Sequence, residues 1–160
     1  MTYEALQEMG LEECAAETQE VMGLMMRAER DLATARLLQD KDEEWSFAAA
    51  YQAMARSGRA LLLSEGYRPK GSRSRDTHKT VVTASGVILG EKYKSLINKF
   101  DRMRRKYQNF MVEAGSMVSR YEAGQAIRDA EEFCSLVTTR LREKYSQMSL
   151  LNDVPQLVSR

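Results

Sequence analysis

The sequence is short of the residues from which most small catalytic centres are built: among 160 residues there are one histidine, two cysteines and two prolines. Cys14 and Cys134 stand far apart, with neither a CxxC pair nor metal-ligand spacing. They read as reduced thiols, and a zinc site, which takes four Cys or His ligands, is not expected. A di-iron bundle needs Glu-x-x-His on two helices, which one histidine cannot supply. Any Ser-His-Asp or Cys-His hydrolase would have to use His78, and no Gly-x-Ser-x-Gly accompanies it. Walker A and Gly-x-Gly-x-x-Gly phosphate loops are also absent. Neither a metal nor a cofactor is therefore expected. No apolar run approaches the roughly 18 residues of a membrane span. The start, Met-Thr-Tyr-Glu-Ala-Leu-Gln-Glu, has no basic or apolar leader, so the chain reads as cytoplasmic, with no membrane partner.

An excess of charge is missing too, but only from the whole. The 24 Lys+Arg and 23 Asp+Glu leave +1, which by itself predicts no attraction to nucleic acid. Residues 1–50 hold 4 basic against 12 acidic residues, residues 51–110 hold 14 against 4, and residues 111–160 hold 6 against 7. The segments thus carry −8, +10 and −1. A basic middle segment is an electrostatic footprint for an anionic partner. An acidic first helix lying against a basic one would give the same composition.

What is present is helical periodicity. The 43% apolar and 29% charged content suits one globular domain, here residues 1–145, followed by a tail over 146–160. With Pro69 and Pro155 the only prolines, long helices are allowed. A short leading helix is expected within residues 1–13. The next runs over about 17–39, with Val21, Leu24, Met25, Ala28, Leu32, Ala35 and Leu38 on one face. A second long helix starts at the N-cap Asp42 and stops at Gly66, its inner face running from Phe47 through Tyr51 and Gly58 to Leu62. Residues 67–76 read as a basic loop, and a short helix follows over about 77–87. The helix over 91–111 has the stripe Tyr93, Leu96, Ile97, Phe100, Met103, Tyr107 and Phe110. Ser119-Arg-Tyr-Glu122 is a capping box opening the last helix, to about residue 145. No alternating run is long enough for a sheet. The fold class is all-α, an up-and-down bundle of four to five helices.

Two basic clusters are candidate binding sites. One is the loop with Arg68, Lys70, Arg73 and Arg75, continued by His78 and Lys79; the other is Arg102, Arg104, Arg105 and Lys106, followed by Tyr107 and Gln108. Guanidinium forks pair with phosphate oxygens, and a neighbouring ring or amide stacks on or bonds to a base. For His78 the competing reading is a helix-start histidine hydrogen-bonded locally.

The order of segments resembles the HEPN superfamily of helical domains. The resemblance is carried by Ala28-Glu-Arg-Asp-Leu-Ala-Thr-Ala-Arg-Leu-Leu38, by the run from Ala48 to Arg-Pro69 with Thr77-His-Lys79, and by Phe100-Asp-Arg-Met-Arg-Arg-Lys-Tyr107 leading to the run from Glu122 to Phe133. It implies a dimerising bundle with a polar motif helix at the interface. In active members that helix bears an Arg, a polar residue, and a His or Tyr four to six positions beyond the Arg. Two protomers then form a metal-independent ribonuclease, often in toxin–antitoxin or defence systems beside a small nucleotidyltransferase. Arginine would stabilise the charged transition state while histidine assists the 2′-hydroxyl. Here Tyr107 stands at the Arg position, Gln108 at the polar one and Val112 at the Tyr one, and no histidine lies downstream in any register. The resemblance therefore implies a HEPN-like domain with a degenerate motif, binding RNA, a nucleotide or a partner protein, with no catalytic residue assigned. An active ribonuclease using Arg104 or Arg105 with His78, and a purely structural helical adaptor, are the alternatives.

Overall fold

In the computed structural model, residues 2–71, 75–112 and 118–145 are described. They form α1 (Tyr3–Glu8), β1 (Leu11–Glu13), α2 (Thr18–Leu38), α3 (Glu43–Ser64), β2 (Tyr67–Pro69), α4 (Arg75–Leu89), a 3-10 turn (Glu91–Tyr93), α5 (Lys94–Val112) and α6 (Arg120–Lys144). The all-α class holds, as five longer helices with a short leading one. The tail over 146–160 and the loop residue Arg73 lie outside the described residues.

The longest helices start where the sequence offers acceptors to unpaired amides. Asp42 accepts a hydrogen bond from the amide of Trp45 at 3.1 Å, with Glu43 and Glu44 in the dipole's positive first turn. Ser119 accepts from the amide of Glu122 at 3.0 Å, and the Glu122 carboxylate bonds back to the Ser119 backbone. Gly66 ends α3 at a φ of +88°, a left-handed conformation that glycine adopts without steric penalty.

α3 is the central element, buried over most of its length against α2, α4, α5 and α6. Small residues let its neighbours come close: a Cβ on Gly58 would meet Val81 Cγ1 at 2.7 Å, so α4 packs directly on the α3 backbone. Val21, Met25, Ala28, Leu32 and Ala35 of α2 and Ala126, Ile127, Ala130, Phe133, Val137 and Leu141 of α6 close one contiguous core. No helix among the described residues is long and apolar enough to cross a membrane.

Two expectations need correcting. The first three residues of the expected basic loop are a strand: Leu11, Glu12 and Glu13 pair antiparallel with Pro69, Arg68 and Tyr67. The ladder is three residues long, too short to show a period. It is fixed by its surroundings, since Arg68 Nε donates to Glu12 at 2.7 Å and Lys70 N to Gly10 O at 2.8 Å. Second, α4 begins at Arg75, so His78 lies inside the helix's first turns.

Candidate functional site

The basic residues of α5 point in three directions. Arg104 is nearly buried, its side chain 12% exposed, and donates to Asp101 at 2.9 Å and to Gln108 Oε1 at 3.0 Å. Lys106 turns to α6 and pairs with Glu122, as Lys99 does with Asp129 at 3.6 Å. Arg102 and Arg105 face out. Arg105 is 61% exposed and held loosely by Asp101 at 3.4 Å, and Arg102 has no ion pair among the described residues. Asn98, Arg102, Arg105 and Asn109, spaced by three or four, are exposed and share one face of α5, which continues into exposed Val112.

Neutralisation of the basic helix thus comes from Asp101 within α5 and from α6, not from the acidic first segment. Among the described residues no ion pair joins α5 to α2. Asp31 of α2 instead accepts from Arg56 on α3 at 2.6 Å, and Arg36 pairs with Glu131 on α6 at 2.8 Å.

His78 is drawn inward to the same neighbourhood as Arg104 and Tyr107. Its Nδ1 lies 2.7 Å from the hydroxyl of Tyr51, 27 positions earlier on α3, so the local hydrogen bond expected of it is not its anchor. Its ring stacks with Tyr51 at a centroid distance of 5.7 Å, and Tyr51 meets Tyr107 at 4.5 Å. Tyr107 accepts from Gln52 Nε2 at 2.8 Å. Burial, then the charges of Arg59 and Arg104, hold the imidazole below its ordinary value, so it is neutral at pH 7. Burial pushes the Tyr51 phenol far up, so it keeps its proton. The Tyr51 hydroxyl and His78 Nδ1 share one hydrogen bond, whose donor follows the imidazole tautomer.

Of the sequence-derived candidates, His78, Arg104, Tyr107 and Gln108 thus come together on the inner side, Arg102 and Arg105 lie on the outer side, and Lys106 is tied to α6. Arg75 opens α4, its side chain outside the described part. Sequence reasoning missed Tyr51, Gln52 and Arg59. The available signal was Arg59 itself, a cation within the nearly all-buried stretch from Ser57 to Ser64. Cys134 is fully packed, accepting from Ser57 Oγ at 3.0 Å, and burial pushes its thiol up to about 12.

No curated protein and no solved structure matches the chain. The HEPN domain model matches residues 21–143, from the second turn of α2 to the last turn of α6. With that span covering the whole bundle around α3, the chain belongs to the HEPN domain family.

Proposed function

We propose that this HEPN domain binds single-stranded RNA through the outer face of α5, as a homodimer, without cleaving it. The observation that carries the reading is the row Asn98, Arg102, Arg105 and Asn109, in which two guanidinium groups alternate with two amides on one exposed helix face. Such a row meets phosphates with its forks and base edges with its amides. Binding is favoured over cleavage by Tyr107, which stands where the family's active members carry the motif arginine and whose hydroxyl is engaged with Gln52. The exposed Met111 and Val112 at the end of α5 support self-association next to this face. A nucleotidyltransferase partner and a toxin–antitoxin setting are proposals that rest on the family alone.

Ribonuclease activity is the second reading, favoured by the neutral imidazole of His78 close to Arg104. Fluorescence anisotropy with a short single-stranded RNA, run beside a cleavage assay, separates the two. The expected result is salt-sensitive binding, weakened in Arg102→Gln plus Arg105→Gln, with the RNA recovered intact. RNA cleavage lost in His78→Ala would establish the second reading instead.

A further inference from the structure

A groove of about 320 Å3 lies between α2 and the C-terminal half of α6. The two helices run antiparallel along it, because α3 pairs head to tail with α2, Ser46 to Ala35, and side by side with α6, Ser57 to Cys134 and Ser64 to Tyr145. Arg36 and Glu131, paired at 2.8 Å, close one end, and Arg142 stands at the other. The floor is formed by buried Met25 and Leu32, and exposed Met26 makes one lip. The opposite wall offers few free hydrogen-bond groups, since Thr138 and Thr139 commit their hydroxyls to the carbonyls of Cys134 and Ser135 at 2.8 and 3.0 Å.

Two charges that line the groove, Glu29 and Arg142, make no hydrogen bond or ion pair among the described residues. Counted inward from the end of α6, the free cation comes first and the free carboxylate second. The chain that leaves α6 carries the matching pattern. Tyr145 is held by its hydroxyl on Ser64 O at 3.3 Å and Lys144 by Glu65 at 3.3 Å, so the next residues start about one turn beyond Arg142. Fifteen residues, 146–160, follow outside the described part. Leu150, Leu151, Val154, Leu157 and Val158 make that stretch apolar, and its only charges are Asp153 and then Arg160, an anion before a cation. Its length also fits. From Glu131 to Arg142 the helix rises about 16 Å. Residues 146–149 reach up to about 14 Å, enough to turn back, and residues 150–160 suffice for the groove.

We infer that the α2–α6 groove is the docking site of residues 146–160 of the same chain, which turn back along α6 with Asp153 on Arg142 and Arg160 on Glu29. Burial of the leucine and valine side chains on Met25, Met26 and Leu32 drives the docking, and the order of the charges fixes its direction. The groove is separate from the exposed row on α5, so RNA binding there and docking here can each fail without the other.

A nitroxide attached to Asn152→Cys of the full chain, with Cys14→Ser, tests this through the broadening of amide resonances; Cys134 is buried and stays unlabelled. The amides of Met26, Glu29 and Thr139 are expected to lose most of their intensity, while those of Arg102 and Arg105 keep theirs. Leu150→Asp plus Leu157→Asp should restore the lost intensities. Arg142→Glu should restore them in part, and Asp153→Arg added to it should bring the broadening back. Broadening that survives Leu150→Asp plus Leu157→Asp would overturn the inference. Even broadening over the whole surface would overturn it too, leaving the groove open to a separate partner protein. Mixing spin-labelled protein with isotope-labelled protein that carries no nitroxide separates the last case: broadening of the groove amides in that mixture would assign the groove to a second copy of the chain and contradict docking within one.

Discussion

His78 exchanges part of its solvent shell for the ring of Tyr51, and that exchange has a measurable cost in acid. In the unfolded chain the imidazole titrates near 6.5; in the fold, burial and the charges of Arg59 and Arg104 hold it lower. Between those two values the unfolded chain takes up a proton that the native state refuses, so stability falls as pH falls through that window and is unaffected above it. Glu122, held down by Lys106, loses its contribution only below the ordinary carboxylate value of 4.5. Since the chain has one histidine, urea titrations at about pH 7.5 and about pH 5.5 should show a lower midpoint in acid, and His78→Gln should remove most of the difference. Equal midpoints for the wild-type protein would contradict this account of the ring. None of it was legible in the sequence. The partner is 27 positions away, and packing of α4 on α3 across Gly58, not local spacing, makes the contact.

At the scale of elements, the sequence was readable wherever a signal is local. Asp42, Gly66 and Ser119 mark helix ends because capping involves residues three or four apart, and the stripes of α2 and α3 fall on the buried faces that their spacing predicts. The β1–β2 ladder was not readable, because three residues on each side carry no periodicity and a register fixed by the flanking helices is a tertiary property. α5 lies between these cases. Its basic residues were visible, but their sorting into an inner Arg104, a tethered Lys106 and an outer Arg102 and Arg105 depends on where Asp101, Glu122 and Asp129 come to lie. Asp101 accepts from Arg104 and forms an ion pair with Arg105 at 3.4 Å, which partly offsets the positive charge of the outer face. Asp101→Asn should raise RNA affinity by roughly two- to fivefold, the scale of an exposed ion pair, in anisotropy titrations at low salt. Weaker binding by this variant would show that Asp101 positions the arginines and does not mute them.

For the whole molecule, a net charge of +1 conceals a division that the fold largely resolves by pairing, leaving a small outward remainder on α5. That remainder adjoins exposed apolar surface, with Met111 51% and Val112 64% exposed. Self-association there should appear in light scattering as twice the protomer mass at high concentration, and Met111→Glu plus Val112→Glu should return the mass of one protomer. A wild-type protein that stays at one protomer mass would count against the dimer. The family was legible from segment order, because that order reflects the helix lengths and turns that build the bundle. The role proposed for α5 rests on two side chains, Arg102 and Arg105, and the salt dependence of RNA binding tests it most directly. If Arg102 and Arg105 each neutralise a phosphate, the slope of log affinity against log salt should be shallower in Arg102→Gln plus Arg105→Gln by about 1.4, or about 0.7 per single-strand contact. An identical slope in the two proteins, or no binding by the wild type at low salt, would contradict the assignment of α5 as the RNA-binding face.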